Sequence, residues 1–331
     1  MSPLRSLGNP DISPFDDVFC ATGKRYNHIY VEPAHYGARG LIFGGGTSKV
    51  VQYITIQSTG NATDFGDLTE NSDWSAGTSS GTSGRAVKAG GAGNLTNHTT
   101  MEYVTIGSTG NASDFGDLVK PMREFAGNSN VTRGVFGGGY AENASGHDTM
   151  QYITIATTGN STDFGDASSV WTANGCGNGT RGTWMGGYNG GNTPNTQIDY
   201  VTLATTSNTS DFGDLSYSCY APGGAVGNSP DDDDRGIYMG GASPTYGSSN
   251  TVSMSYITIS TTGNGQDFGD LDSASYISGA QNDASRGVQC GTGSSNKMQY
   301  FAIGTLGNAQ DFGDLLATAS GFTAMGNSSG D

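Results

Sequence analysis

Short hydrophobic runs separated by glycine-rich turns recur along the chain and predict β-strands. In one copy of the pattern, Gly134-Val-Phe136 is an apolar run closed by glycines, which is typical of a buried strand followed by a turn. Tyr152-Ile-Thr-Ile155 alternates aromatic and β-branched residues, a strong strand pattern. Asp163-Phe-Gly-Asp166 follows a Gly-Asn turn and predicts a last short strand or tight turn with its phenylalanine pointing inward. The small residues of 171–179 predict a crowded strand, because Ala and Gly allow backbones to come close.

An 11-residue unit inside this pattern occurs six times at a fixed internal spacing. Each copy starts at a tyrosine and reaches the first aspartate of Asp-Phe-Gly-Asp 11 positions later, in the pairs Tyr53/Asp64, Tyr103/Asp114, Tyr152/Asp163, Tyr200/Asp211, Tyr256/Asp267 and Tyr300/Asp311. Arginines precede the tyrosines in register, at Arg39, Arg85, Arg133, Arg181, Arg235 and Arg286. A rigid unit within a variable period indicates one recurring supersecondary element whose loops differ in length.

Four short strands per repeat and no helical period predict an all-β fold, a six-bladed β-propeller. Blade one lacks a small-residue strand, whereas Ala319–Gly330 has that composition. The C-terminal strand is therefore expected to complete blade one and close the ring. We divide the chain into an N-terminal extended arm, residues 1–35, and the propeller, residues 36–331. The arm is expected either to pack on a neighbouring subunit or to fold back over its own propeller.

The repeat resembles kelch-type propeller repeats, in which a double glycine, a tyrosine and an aromatic residue mark each blade. Tyr152 and Phe164 match the kelch tyrosine and tryptophan in order, although Phe-Gly-Asp stands in place of the usual tryptophan. The motifs Arg-Gly-Val-Phe-Gly-Gly-Gly and Tyr-Ile-Thr-Ile-Ala-Thr-Thr-Gly-Asn are similar to repeats in structural proteins of marine bacteriophages. This resemblance covers about residues 36–331. Residues 1–35 weakly resemble N-terminal anchoring segments of phage tail-associated proteins. The resemblance implies a kelch-like propeller and a virion component.

Charge and composition narrow the range of partners. The net charge is −16, so binding to nucleic acid or to anionic lipid through a basic patch is not expected. No apolar stretch is long enough to cross a bilayer, and we expect no membrane insertion. The four cysteines show no CxxC spacing and no register, which favours small buried side chains over a disulfide framework.

The repeated carboxylates are interpreted as structural. A catalytic pair is needed once, whereas Asp163 and Asp166 recur six times, so we expect them to accept backbone N–H groups and to meet the repeated arginines. Calcium binding by this motif is a minor alternative, as is cation binding by Asp231–Asp234, which is most simply a solvated loop. The four histidines are dispersed. The sequence therefore predicts no enzyme, no catalytic residue and no cofactor.

Function is expected where the copies differ. One set of variable loops joins the strand that ends in the double glycine to the strand that contains the tyrosine, and the other set follows Asp-Phe-Gly-Asp. These two sets should emerge on the same face. The candidate recognition residues in them are Trp74, Met122, Arg123, Tyr140, His147, Tyr188, Asn189, Tyr217 and Tyr246.

Two roles are open at this point. In the first, the chain is a non-enzymatic bacteriophage structural protein in the virion, assembled in the host cytoplasm. Its propeller head would be mounted by residues 1–35 on the tail, a tail fibre or the capsid, contacting other virion proteins, further copies of itself, or a host-surface glycan or receptor. In the alternative, it is a free-standing, lectin-like propeller that binds glycans.

Overall fold

The computed structural model describes residues 39–325, apart from gaps at 81–83, 94–95, 141–147, 169–173, 190–192, 220–222, 230, 243–249, 277, 294, 319–320 and 322. The arm of residues 1–35 lies outside these residues. All regular structure in the described part is β-strand.

Twenty-seven strands follow one another along the described part of the chain. The first fourteen are β1 (Arg39–Phe43), β2 (Val50–Thr55), β3 (Thr63–Asp67), β4 (Ala76–Ser80), β5 (Arg85–Ala89), β6 (Ala92–Gly93), β7 (Thr96–Asn97), β8 (Thr100–Thr105), β9 (Ser113–Asp117), β10 (Ala126–Ser129), β11 (Arg133–Gly137), β12 (Thr149–Thr154), β13 (Thr162–Asp166) and β14 (Asn174–Gly177). The remainder are β15 (Arg181–Met185), β16 (Tyr188–Asn189), β17 (Thr193–Thr202), β18 (Ser210–Cys219), β19 (Ala225–Gly227), β20 (Arg235–Met239), β21 (Ser253–Thr258), β22 (Gln266–Asp270), β23 (Gly279–Asn282), β24 (Arg286–Cys290), β25 (Lys297–Ala302), β26 (Gln310–Asp314) and β27 (Thr323–Met325).

Twenty-four of these strands form six antiparallel blades of four strands each; β16 pairs in addition with β17, and β6 pairs with β7. From the axis outward, the blades are β27-β1-β2-β3, β4-β5-β8-β9, β10-β11-β12-β13, β14-β15-β17-β18, β19-β20-β21-β22 and β23-β24-β25-β26, which we number 1 to 6. The first strands of neighbouring blades pack against one another around the ring and line one channel. The predicted all-β, six-bladed β-propeller is confirmed.

The ring closes through the last strand. β27 pairs antiparallel with β1, matching Leu41 with Met325 and Phe43 with Thr323. Blade 1 is thus built from both ends of the described chain, as the composition of the C-terminal segment predicts. β27 thus covers the edge of β1 and gives blade 1 the same four strands as the other blades.

Each 11-residue unit forms the outer half of a blade. In blade 1, Val51 pairs with Gly66 and Gln52 with Asp64, so Phe65 is the extra residue of a β-bulge. The same register shift occurs in all six blades. The bulge directs the phenylalanine into the core, and its ring meets the edge of the tyrosine of the same unit at 5.8–6.1 Å between centroids. The inward phenylalanine is confirmed.

The repeated arginines join one blade to the next. Arg39 stacks over the Tyr53 ring at 4.5 Å and donates a hydrogen bond to the carbonyl oxygen of Ile106, in blade 2, at 2.8 Å. In all six blades the guanidinium lies 4.3–5.0 Å from the tyrosine centroid. The expectation that these arginines meet the motif carboxylates is replaced by this contact, because stacking satisfies the cation while its N–H groups reach across the seam.

Asp-Phe-Gly-Asp forms the outer seam between blades. Gly110 and Ala112, in the turn of blade 2, donate backbone N–H groups to the carbonyls of Phe65 and Asp67 in blade 1, each at 2.8 Å. Asn111 Oδ1 accepts the backbone N–H of Asp67 at 3.1 Å. The turn of each blade thus covers the open edge of its neighbour's outer strand. The prediction that the motif is structural is supported, but its backbone makes these bonds while its carboxylates are exposed.

The same seam joins the last blade to the first. Gly60 N–H donates to Phe312 at 2.8 Å, and Asn61 Oδ1 accepts from Asp314 N–H at 3.1 Å. The asparagine-to-aspartate bond therefore occurs at all six junctions. One heterologous contact, repeated until it closes, builds the ring.

Candidate functional site

The variable loops lie on one face of the ring. The turns between the second and third strands bond to the loops that leave the fourth strand, as Gly45 N–H does to Ser72 at 3.1 Å and Gly91 N–H to Met122 at 2.8 Å. We call this surface the loop face; in blades 1 to 3 its described residues are 44–49, 68–75, 90–93, 96–99, 118–125, 138–140 and 148. The expectation that the two sets of loops share a face agrees with this arrangement.

The candidate recognition residues differ in what the structure shows of them. Met122 is fully buried, packs with Phe125 and Phe136, and its sulfur accepts from Gln151 Nε2, so its assignment as a recognition residue is wrong. Its side chain turns inward to fill the core beneath its loop. Tyr217 is mostly buried and donates its hydroxyl to the Ser253 carbonyl at 2.7 Å, which makes it an anchor for the loop of blade 4.

Four other candidates have no described side chain. Tyr188 and Asn189 form β16, which pairs with Pro194 and Thr193 of β17, and only their backbone is described. His147 and Tyr246 lie outside the described residues. For these positions the sequence prediction stays a prediction.

The remaining three candidates meet at one place. The Arg123 guanidinium lies 4.6 Å from the centre of the Tyr140 ring and 5.4 Å from that of Trp74. Arg123 and Tyr140 also form an antiparallel bridge, with Tyr140 N–H donating to the Arg123 carbonyl at 2.8 Å. Asn97 Nδ2 donates to the Tyr140 carbonyl at 2.9 Å. Loops from three blades therefore hold one cation beside two aromatic rings.

Two carboxylates flank this group. Arg123 Nε lies 3.6 Å from Glu124 Oε1, and Asp73 Oδ1 accepts the backbone N–H of Trp74 at 3.1 Å. Burial raises the pKa of the Asp73 carboxyl from 3.8 to about 6, against the hydrogen bonds from Gly46 and Trp74. Burial also raises the pKa of Glu124; Arg123 opposes this shift and the charge of Asp73 adds to it. We name Asp73, Trp74, Arg123, Glu124 and Tyr140 the channel-mouth cluster.

The backbone of the channel-mouth cluster is strained. Trp74 and Glu124 have φ of 54° and 56°, a left-handed conformation that side chains other than glycine rarely adopt. A chain of hydrogen bonds holds it, since Trp74 N–H donates to Gly321 at 3.1 Å and Glu124 N–H donates to Trp74 at 2.8 Å. Trp74 and Glu124 lie two positions before β4 and β10, the innermost strands of blades 2 and 3. Because these strands line the channel, the two residues lie at its rim.

Blade 2 also carries charge in its interior. Lys88 Nζ lies 3.7 Å from Glu102 Oε2, and both side chains are fully buried. Burial lowers the pKa of Lys88, and the charges of Glu102 and Glu70 oppose that shift. Glu102 Oε1 accepts from Thr69 N–H at 2.7 Å, and His98 Nδ1 lies 3.2 Å from Glu70 Oε1. The cross-strand pairs that match Lys88–Glu102 elsewhere include Ile42–Gln52, Phe136–Gln151 and Gln289–Gln299, so a fully charged pair sets this blade apart.

Comparison with known proteins bears on the fold alone. The chain has the architecture of a solved propeller-like structure titled "Structure of YjhT", with a TM-score of 0.62 over 80% of this chain and 94% of that one, at 9% sequence identity. No protein-family model matches the chain, and no curated protein sequence does. The fold is a β-propeller. Identity this low says nothing about function.

The axial channel is narrow and polar. It measures about 80 Å³ and is lined by the first strands of all six blades, among them Thr78, Asn128, Cys176, Gln281 and Ala324. Small-molecule pockets are commonly about 300–1,000 Å³, whereas one water occupies about 30 Å³. The channel therefore has room for a few waters, and a larger ligand would have to bind at its mouth.

Metal and membrane features are limited within the part of the chain that the structure describes. No group of three or more His, Cys, Asp or Glu side chains there could hold a metal ion, and no membrane-spanning helix is found there. Asp231–Asp234 form the turn between β19 and β20, on the face opposite the loops, and the first three are exposed. Cys176, Cys219 and Cys290 are buried thiols whose pKa burial raises to about 12, which leaves them unreactive.

Sequence reasoning missed Asp73, Glu124 and the charged interior of blade 2. The loops that follow the outermost strands nevertheless contain a sequence pattern that could have pointed to this site. Trp74, Glu124 and Gly321 each stand six residues after the leucine that follows the motif, a position at which Gly321 also has positive φ. A large side chain at a position suited to glycine is a local conflict, and such conflicts often mark functional positions.

Proposed function

We propose that the chain is a non-enzymatic binding protein of a bacteriophage virion, a rigid propeller head that makes contacts through its loop face. One observation carries the proposal: the blade seams repeat six times with the same bonds, whereas the unlike residues gather on the loop face. Binding proteins commonly place variable loops on such a fixed scaffold.

The sequence of the repeats and the N-terminal arm support a role in a virion. The kelch-like order of glycines, tyrosine and aromatic residue, and the likeness to repeats in phage structural proteins, favour a particle component over a free enzyme. Residues 1–35 would anchor the propeller to the tail, a tail fibre or the capsid, and copies of the chain would assemble together there. A net charge of −16 makes packaged nucleic acid an unfavourable partner.

The position of the repeated carboxylates favours a non-enzymatic role. All twelve motif aspartates are exposed on the outer strands, away from the channel. An acid–base pair needs a sheltered site that holds substrate between the two groups. These aspartates instead surround the ring as an acidic belt.

Removal of the arm tests the virion role. We expect a variant without residues 1–35 to be excluded from particles assembled in the host, while the isolated propeller keeps its thermal unfolding transition by circular dichroism. A second variant, with residues 1–35 replaced by a Gly/Ser linker of equal length, separates the chemistry of the arm from its reach. Mass spectrometry of purified particles reads out incorporation. Incorporation of the shortened protein at wild-type stoichiometry would contradict the proposal.

A free-standing, glycan-binding module is the second candidate. It is favoured by the channel-mouth cluster, because an arginine between aromatic rings and next to carboxylates is more than a scaffold requires. If the protein is found in cleared lysate and not in particles, yet binds glycans, this alternative replaces the first.

A further inference from the structure

Among the residues that the structure describes, charged side chains occur at several places on the loop face, such as Lys297 with Asp272 in blade 6, but one sector also brings two aromatic rings to a cation and two carboxylates. Asp73, Arg123 and Glu124 lie at the channel mouth, where loops of blades 1, 2 and 3 meet, and no charged residue stands at the positions of Asp73 and Glu124 in blades 4 to 6. In a ring whose seams are otherwise alike, packing needs alone would favour the residues used elsewhere. Their concentration at one exposed junction indicates selection for a ligand.

We propose that the channel-mouth cluster binds a neutral glycan. This inference rests on the proposed recognition function of the loop face and names its site and ligand class. Each part of the cluster suits an uncharged, hydroxyl-rich ligand. The Asp73 and Glu124 carboxylates accept hydrogen bonds from hydroxyls, and the Arg123 guanidinium donates to ring or hydroxyl oxygens. The half-buried Trp74 and Tyr140 rings, over which Arg123 lies, offer their remaining exposed apolar surface to sugar C–H groups.

Charge decides against ionic ligands. An anion would approach a protein of net charge −16 and meet the carboxylates of Asp73 and Glu124. A cation would compete with Arg123, which already lies against both aromatic rings. A neutral polyol avoids both conflicts.

The cluster is also accessible and preorganised. The Arg123 and Glu124 side chains are 17% and 24% exposed, so they are held by the protein yet open to solvent. Trp74 and Glu124 are fixed in left-handed backbone conformations by bonds to neighbouring loops. A site fixed before binding loses less entropy when the ligand arrives.

Glycine substitution at Trp74 gives a clean test. Trp74→Gly removes the ring, while glycine adopts the required positive φ more readily, as Gly321 does at the matching position. Glu124→Gln keeps the shape of the other flank and removes its charge. The control is Asp163→Asn, an exposed carboxylate on an outer strand.

The full-length protein and these variants are screened on an array of neutral mono- and oligosaccharides, and hits are titrated by calorimetry. We expect Trp74→Gly and Glu124→Gln to lower the affinity for a glycan found on the array by about tenfold or more. Asp163→Asn should change that affinity by less than about twofold. Equal affinity of all four proteins would overturn the site while leaving glycan recognition standing. If the protein bound no neutral glycan, the inference would be overturned. The virion role is tested separately, by incorporation into particles.

Discussion

At the scale of single residues, the glycine of Asp-Phe-Gly-Asp is the most constrained position of the repeat. Gly116 has φ of 137°, and a Cβ added there would lie 2.5 Å from the carbonyl oxygen of Gly159 in the next blade. Equivalent contacts of 2.4–2.6 Å occur at the other five copies, Gly66, Gly165, Gly213, Gly269 and Gly313. No other residue permits both this backbone conformation and this close approach.

Gly116→Ala should therefore lower the free energy of unfolding by about 1–3 kcal/mol, the range for a strained backbone position. Gly110→Ala is the matched control in the same blade, because its φ is not left-handed and a Cβ there meets no atom within 4 Å. We expect the control to change stability by less than about 0.5 kcal/mol. Urea unfolding of both variants measures the difference, and equal stability of the two would show that the seam relaxes to accept a side chain.

The residues of the site were only partly predictable from sequence. Trp74, Arg123 and Tyr140 could be found because aromatic and basic residues in variable loops suit recognition. Met122 was misassigned, since loop composition does not say which way a side chain points. Glu124 was missed because its raised pKa depends on burial by loops distant in the chain. Contacts between blades decide these cases, and a single repeat does not contain them.

At the scale of elements, β27 is the strand on which blade 1 depends. It covers β1, whose Leu41 and Phe43 are 0% and 1% exposed. Removal of residues 323–331 would leave β1 with an unpaired edge and expose this part of the core. We expect the truncated chain to be insoluble, because an open hydrophobic edge strand promotes aggregation.

A chain that ends at residue 325 is the control for this truncation, since it keeps β27. We expect it to be soluble and to melt like the full chain by circular dichroism. A protein lacking 323–331 that remained soluble, with an unchanged melting temperature, would show that β27 is dispensable.

Elements were predictable where the repeat is regular and less so where blades elaborate on it. The four-strand order, the inward phenylalanine and the C-terminal closure all follow from the pattern, whereas the bulge that turns the phenylalanine inward was not predicted. β17 and β18 are ten residues each, longer than the expected short strands, because Asn195 pairs with Cys219 beyond the common register. The connection between the second and third strands of blade 2, expected to be a loop, contains the short strand pair β6–β7. These additions depend on pairings outside the repeated unit.

At the scale of the whole molecule, the twelve exposed motif aspartates form a belt around the ring. Each outer strand carries two, and they contribute most of the excess negative charge. Charged outer strands discourage edge-to-edge association, and a high net charge keeps the protein soluble. The same charges repel one another in the compact state, so the belt should cost stability that salt restores.

We therefore expect the melting temperature to rise by about 2–4 °C between 10 mM and 500 mM NaCl, the shift that ~1 kcal/mol produces in a domain of comparable size. The matched variant replaces the first aspartate of every motif with asparagine, at Asp64, Asp114, Asp163, Asp211, Asp267 and Asp311. The seam bonds use the backbone of the motif and the neighbouring asparagine, so the fold should tolerate these changes. Scanning calorimetry should find the variant more stable than the parent at 10 mM NaCl and less responsive to salt. Equal salt dependence of the two proteins would mean that the belt protects the edges without straining the ring.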